Sequence, residues 1–218
     1  NPTARLDAML RILLVAPGTG LQTTAEVRDL STLHRVTILS DTVTVRDVFT
    51  AARGRYDVIH LATHGDETSV QLSDGILRDS DLLQIARSAS AKLVFFNSCR
   101  AGRLAYNLVG HGVPLAIHTN VELVDSAAWK MPLAYYGAVD ELGNGTPLSY
   151  VRAFALANDG EGDYGLAVDP ELAISWATMA YAATHLAAQP PLSQWQRYVM
   201  IGMAVIVFWL LALSVFSI

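Results

Sequence analysis

The stretch KLVFFNSCRAG, residues 92–102, contains the only cysteine of the 218-residue chain. Its apolar run at 93–96 is rich in residues that favour strands and is typical of a strand buried on both faces. Small polar residues and then Cys99 follow, before a turn of small residues. Cys99 is therefore predicted to lie at the carboxyl end of a buried strand, either as a structural thiol or as a nucleophile.

The rest of the chain up to residue 188 alternates short apolar runs with helical patterns. Strands are predicted at 10–17, 35–40, 56–65, 92–99 and 113–119, and helices between and after them. Two very short strands are predicted around the turn at Asp74-Gly75. This alternation is typical of an α/β fold with a mostly parallel sheet flanked by helices.

The strand before KLVFFNSC, predicted from YDVIHLATHG at 56–65, ends in His64 and Gly65. Functional groups gather at the carboxyl ends of parallel strands, and consecutive strands are commonly neighbours. His64 is thus expected to face Cys99, which is the pairing of imidazole and thiol that a cysteine protease needs. Gly65 has no side chain, so its N–H and that of Cys99 are predicted to form an oxyanion hole.

These motifs resemble the caspase-like cysteine peptidases, and most closely the CHAT family, bacterial caspase-like domains akin to separase. HLATHG and LVFFNSCRAG are followed, in the order and spacing of the family, by LAYNLVGHGVPLAI and VELVDSAAWKMPLAYYGAV. The resemblance covers residues 10–157 and implies a caspase-like three-layer sandwich. It also implies His64 as the catalytic histidine, Cys99 as the nucleophile and Gly65 as the oxyanion glycine.

The resemblance further implies which residues bind the substrate. Related peptidases that cut after basic residues often carry an acid two positions before the cysteine, whereas this chain has Asn97 there. That difference argues against a simple preference for arginine or lysine. Asp125 matches a recurrent acid of the family and is expected to line the primary pocket with Asn97, although its position before a predicted helix first suggests an N-cap.

Several further histidines and aromatic residues are interpreted as structural. His60 lies in the same predicted strand as His64 and is expected to be a core or supporting residue. His111 and His118 are also read as structural, and Tyr135 and Tyr136 as helix packing. The sequence shows no cluster with metal-ligand spacing, and the resemblance implies neither a metal nor an organic cofactor.

The C-terminal residues 198–218, YVMIGMAVIVFWLLALSVFSI, contain no charged side chain. As a helix they would extend about 32 Å, close to the thickness of the hydrocarbon core of a bilayer. We expect a peptidase domain at 1–188, a linker at 189–197 and a transmembrane tail anchor at 198–218. Arg197 at the domain side of this segment favours a single-pass protein with its N-terminal domain in the cytoplasm.

The charge and cysteine content of the chain limit the classes of partner and the compartment that we expect. The formal net charge is −5 and Lys/Arg clusters are absent from the sequence, so a nucleic-acid partner is not expected. A single cysteine cannot form an internal disulfide, which favours a reducing compartment. The predicted partners are a protein or peptide substrate, the membrane and an activating protein, and the resemblance implies a bacterial defence or regulated cell-death effector.

Two alternatives to a peptidase remain at this point. A caspase-like scaffold without catalytic activity would assemble at the membrane and bind a partner through its strand edges or its tail. A membrane-disrupting effector would act through oligomers of its tail helices. The presence together of His64, Gly65 and Cys99 argues against the non-catalytic scaffold.

Overall fold

The computed structural model describes residues 9–18, 24–122, 128–142, 146–158, 163–176 and 178. By its internal contacts the chain divides after Ala173, and all the elements below lie in the first unit. The predicted boundaries at 188 and 197 and the predicted span at 198–218 fall outside the described residues. Within the described ranges, no helix has the length and apolar character needed to cross a membrane.

A six-stranded sheet forms the centre of the unit. Its order is β2-β1-β3-β6-β7-β8, and all neighbouring strands are parallel except β7 and β8. The strands are β1 (Arg11–Pro17), β2 (Arg35–Asp41), β3 (Val58–Ala62), β6 (Leu93–Asn97), β7 (Leu115–Thr119) and β8 (Tyr164–Val168). A separate antiparallel hairpin of β4 (Ser69–Gln71) and β5 (Ile76–Arg78) follows β3, as the Asp74-Gly75 turn predicts.

Helices cover both faces of the sheet, which gives three layers. They are α1 (Thr24–Leu33), α2 (Val45–Ala51), α3 (Asp79–Ala89), α4 (Gly102–Val109), α5 (Lys130–Leu142) and α6 (Pro147–Ala157). Residues of α2, α3 and α4 pack on one face of the sheet in a single apolar cluster that includes Leu61 and Phe96. On the opposite face, Tyr136 of α5 packs against His60 and Phe95.

The predicted mostly parallel α/β sheet flanked by helices is confirmed, and the central strands explain why. Every residue of β3, β6 and β7 is buried, which is the pattern of strands covered on both faces. The sequence pattern did not predict β8, the antiparallel edge strand. Its five residues include Gly165, and glycine weakens a strand pattern.

Candidate active site

His64 and Cys99 follow neighbouring parallel strands. The register of β3 and β6 pairs His60 with Phe95 and ends with Ala62 opposite Asn97. His64 and Cys99 each lie two residues beyond this last pair, just past the carboxyl ends of the two strands. His64 is exposed and Cys99 is half-buried.

The backbone after His64 is held against the hairpin. The carbonyl oxygen of His64 accepts a hydrogen bond from Gln71 N at 2.8 Å, and Gly65 forms an antiparallel bridge with Val70. A Cβ atom on Gly65 would lie 3.1 Å from Ser69 O and 3.2 Å from Ser98 Cβ. Glycine therefore lets the His64 strand approach the turn that carries Cys99.

An aspartate turn shapes the loop after Gly65. Asp66 Oδ1 accepts hydrogen bonds from Thr68 N at 2.7 Å and Ser69 N at 2.8 Å. These bonds, with one from the Thr68 hydroxyl, lower the pKa of Asp66 because they favour the charged carboxylate. The loop that follows the histidine is thus anchored by its own side chains.

The turn that carries Cys99 has its own supports. The Thr119 hydroxyl donates a hydrogen bond to Ser98 O, and Arg100 N donates to Val121 O at 3.2 Å. Arg100 has φ +50°, in the left-handed region that few non-glycine residues adopt. The chain thus reverses sharply after Cys99, and α4 begins three residues later at Gly102. Cys99 therefore lies in a tight turn directly after the end of β6.

Asn97 is buried beneath this turn, with 7% of its surface exposed. Its amide nitrogen lies 2.9 Å and 3.1 Å from the two carboxylate oxygens of Glu26 in α1. Its amide oxygen accepts a hydrogen bond of 2.8 Å from the hydroxyl of Tyr164 in β8. Both ends of the Asn97 amide are therefore occupied, and its predicted role in substrate binding stays a prediction.

His60 extends this buried network away from the surface. Its Nε2 lies 2.8 Å from Glu26 Oε1, where the ring N–H is not aligned for a hydrogen bond. Its Nδ1 lies 3.0 Å from the hydroxyl oxygen of Tyr136. The ring also stacks on Phe95 with centroids 4.6 Å apart. The interpretation of His60 as a core or supporting residue is confirmed, because it is wholly buried.

Two tyrosines of the network are kept protonated by their surroundings. Burial raises the pKa of Tyr136 well above its ordinary value, and the Tyr135 and Glu26 charges add to the effect. Burial also raises the pKa of Tyr164, and the nearby carboxylates of Glu26 and Asp163 raise it further. Tyr164 therefore remains a hydrogen-bond donor to Asn97.

The other predicted residues lie apart from this network or outside the described residues. Asp125 falls in 123–127, outside them, so its predicted pocket role is neither supported nor opposed. His111 is exposed, with Nδ1 2.7 Å from Asn107 O. His118 is 1% exposed and packs between Gly102 and Gly165, which agrees with a structural role. No group of three or more metal-binding side chains occurs in the described parts of the chain.

Sequence reasoning missed Glu26 and Tyr164. A signal for Glu26 existed, because Glu26, Leu30 and His34 recur at four-residue spacing and all three are buried. An acid on the apolar face of an amphipathic helix needs a polar partner in the core. Tyr164 had no such signal, since its contact with Asn97 spans 67 residues and depends on the missed strand β8.

The sequence matches the CHAT domain family over residues 8–147, which is more than half of the chain. This chain belongs to the CHAT domain family. No curated protein matches it. The predicted resemblance to that family is therefore confirmed at the level of the domain.

Solved structures of cysteine peptidases share the fold. The Arg-specific cysteine proteinase gingipain R has a TM-score of 0.56 at 13% identity, covering 77% of this chain and 48% of its own. A complex of the pro- and mature domains of the Porphyromonas gingivalis enzyme has a TM-score of 0.54 at 13% identity, covering 77% and 49%. Caspase-1 from Spodoptera frugiperda has a TM-score of 0.51 at 11% identity, covering 74% and 88%.

These likenesses establish a caspase-like fold for the CHAT domain. The chain spans about half the length of the gingipain chains it matches. At such low identity the likeness concerns the fold, and the fold alone does not determine the reaction.

Proposed function

We propose that this CHAT domain is a cysteine endopeptidase with a Cys99-His64 dyad. The observation that carries the proposal is that β3 and β6 are adjacent parallel strands whose register ends with Ala62 opposite Asn97, and that His64 and Cys99 each follow two residues later in the sequence. The cysteine-peptidase fold of the relatives adds support. Alternative pairings of a histidine with Cys99 are less favourable, because His60 and His118 are buried and His111 lies beyond α4.

In the proposed reaction, His64 takes the thiol proton of Cys99, and Sγ forms a bond to the scissile carbonyl carbon as the carbonyl π electrons move to oxygen. The negative charge that develops on the carbonyl oxygen is held by the N–H groups of Gly65 and Cys99. His64 transfers a proton to the leaving amine as the peptide C–N bond breaks. Water then hydrolyses the thioester, which releases the acid and regenerates the thiol.

Peptide cleavage by the purified chain tests the proposal. We expect wild type to cleave members of a peptide library, and Cys99→Ala and His64→Ala to lose at least roughly 1,000-fold in kcat/KM. His111→Ala, which changes an exposed histidine elsewhere, is the matched control and should retain activity. Cleavage that persists unchanged in Cys99→Ala would show that the dyad is not the catalyst and would favour a non-catalytic scaffold.

Thiol alkylation provides a second readout that needs no substrate. Because Cys99 is the only cysteine, incorporation of iodoacetamide into the whole chain reports on this one thiol. An imidazole next to the thiol promotes formation of the reactive thiolate. We expect His64→Ala to slow alkylation at neutral pH and His111→Ala to leave it unchanged. Equal rates in all three proteins would contradict a functional pairing of His64 with Cys99.

Asn97 and Asp125 are proposed to contribute to the primary specificity pocket. The gingipain relative is described as Arg-specific, but here the position two residues before the cysteine is an amide rather than an acid. Glu26 supplies a carboxylate in contact with that amide. A library that varies the residue before the cut is the test, and Asp125→Ala should change the preferred residue. An unaltered profile would remove Asp125 from the pocket.

Residues 198–218 are proposed to anchor the domain in a membrane, with the domain on the cytoplasmic side. The support is the uncharged apolar length of the segment and the adjacent Arg197. The full chain should stay in the membrane fraction after alkaline carbonate extraction. Deletion of 198–218 should release the protein from that fraction. Retention of the truncated chain in the membrane fraction would contradict a tail anchor.

A role as a bacterial defence or cell-death effector, released by an activating partner, is proposed from the family alone. Expression of wild type with and without proteins encoded nearby should then reveal toxicity that requires Cys99. Toxicity that is the same in Cys99→Ala but lost on deletion of 198–218 would instead support the membrane-disrupting alternative.

A further inference from the structure

Strand β2 forms one edge of the central sheet. In the described structure, no strand lies beside its outward side, where backbone N–H and C=O groups face away from the sheet. Arg35 N donates to Leu10 O at 2.9 Å, and Asp41 O accepts from Gly18 N at 2.7 Å, so both end residues direct their backbone groups toward β1. Backbone polar groups alternate sides along a strand. Val36, Ile38 and Ser40 therefore direct their N–H and C=O groups away from the sheet.

The side chains of β2 are also exposed to an unusual degree for this sheet. Five of its seven residues are exposed, whereas β3, β6 and β7 are wholly buried. Ile38 at the centre of the strand is 38% exposed and is one of the large apolar residues at the surface. A long edge strand with an exposed apolar centre is a template for pairing with another strand.

We infer that β2 pairs antiparallel with β2 of a second copy of this chain, about a twofold axis at Ile38. The residue pattern RVTILSD at 35–41 is complementary to itself in this register. Ile38 pairs with Ile38, and Val36 with Ser40, so all the outward groups of the strand are used in roughly six ladder hydrogen bonds. Arg35 of each copy then lies opposite Asp41 of the other.

The charges select this register over its alternatives. Moving the axis to residue 37 or 39 leaves two of the three outward pairings, which removes about two of the six ladder hydrogen bonds, and takes Arg35 away from Asp41. Opposite charges on directly facing residues stabilise an antiparallel pair, and like charges destabilise it. A groove of about 430 Å³ lined by Ile38, Leu39 and Asp47 lies beside this edge.

The pairing has a consequence for the two candidate active sites. It would join the two six-stranded sheets into one continuous sheet of twelve strands. The twofold axis reverses the strand direction between the two copies. The carboxyl ends of β3 and β6 in one copy would therefore point the opposite way from those in the other copy. Self-association through β2 would therefore leave both sites open to substrate, and it does not depend on the proposed peptidase activity.

Engineered cysteines test the register directly in the full chain, purified in mild detergent with Cys99→Ala to remove the native thiol. Ile38→Cys lies on the proposed axis and should form a covalent dimer on mild oxidation. Ser40→Cys is the matched control on the same exposed edge, and faces Val36 rather than itself. Equal cross-linking at both positions, or more at Ser40→Cys, would overturn the proposed pairing.

Charge exchange tests the complementarity. By sedimentation equilibrium, Arg35→Glu and Asp41→Lys should each raise the dimer dissociation constant roughly tenfold, because each creates two like-charge pairs. The double variant should return to within about threefold of wild type. Asp41→Asn, which suits the φ of +63° at this residue, removes the charge without backbone strain. A monomeric wild type, or single variants that dimerise as well as wild type, would refute the inference.

Discussion

At the scale of single residues, the candidate site depends on close approaches that only particular side chains permit. Gly65 lies against the turn of Cys99, and the Asn97 amide is held between Glu26 and Tyr164. The first approach needs the absence of a side chain, and the second needs an uncharged amide beside a buried carboxylate. Substitutions of Gly65 and Asn97 should therefore have larger effects than matched substitutions elsewhere in the chain.

Gly65→Ala should reduce kcat/KM for peptide cleavage by roughly 100-fold, as removal of one oxyanion donor does. The added Cβ would press on Ser69 O and Ser98 Cβ at 3.1 and 3.2 Å and shift the Gly65 N–H. Gly75→Ala, in the neighbouring hairpin turn, is the control because its Cβ would lie 3.6 Å from Val45 Cγ2, an ordinary contact. Steady-state kinetics that show equal activity in both variants would exclude Gly65 from the oxyanion hole.

Asn97→Asp should lower the free energy of unfolding at neutral pH by about 2–4 kcal/mol, because it places a second carboxylate against the buried Glu26. Glu26→Gln in the same chain should recover much of that loss. Asn107→Asp is the exposed counterpart, since Asn107 Nδ2 lies 3.3 Å from Asp79 Oδ2 at the surface. Urea unfolding should show an effect below about 1 kcal/mol there. A similar loss at both positions would contradict the buried network.

At the scale of elements, the edge strand β8 completes the environment of the site. Tyr164 at its start contacts Asn97, and Gly165 lies against the ring of His118 in β7. The strand is short and contains glycine, so its position follows from the partners that it packs against rather than from its own pattern. Substitution of its glycine should therefore disturb packing.

Gly165→Ala should destabilise the domain by about 1–3 kcal/mol through overpacking. Its Cβ would lie 2.6 Å from His118 Cε1 and 2.8 Å from Nε2, and that ring is buried. Gly137→Ala in α5 is the opposite case, because no heavy atom lies within 4 Å of the added Cβ. It should stabilise by about 0.5–1 kcal/mol through helix propensity. Thermal unfolding that shifts in the same direction in both variants would contradict this account.

At the scale of the whole molecule, two buried histidines connect stability to pH. Burial lowers the pKa of His118, and contacts with Thr119 and Asn120 only partly oppose it. Burial likewise lowers the pKa of His34 against the opposing effects of Tyr136 O and Asp140. The folded protein thus binds fewer protons at these rings than the unfolded chain does between the two sets of pKa values.

The free energy of unfolding should therefore be highest above the unfolded histidine pKa of about 6.5 and fall as pH decreases below it. The limiting slope is about 1.4 kcal/mol per pH unit for each histidine involved. Urea titrations between pH 5 and 7.5 measure it. The double variant His34→Gln/His118→Gln should flatten the dependence, whereas His111→Gln at the surface should not. An unchanged slope in the double variant would locate the pH dependence elsewhere.

By itself the sequence determined the sheet class and most of the strands, and it predicted His64 and Cys99 as the candidate pair, because these follow from local patterns. Continuous apolar runs predict strands that are buried on both faces. The histidine and the cysteine are recognised because each follows such a run directly in the sequence. Only the tertiary structure decided that Glu26 and Tyr164 enclose Asn97, that β8 lies antiparallel to β7 and that β2 is the exposed edge. These features depend on contacts between residues that are distant in sequence. The stabilising free energy comes from those contacts, which no local sequence pattern predicts.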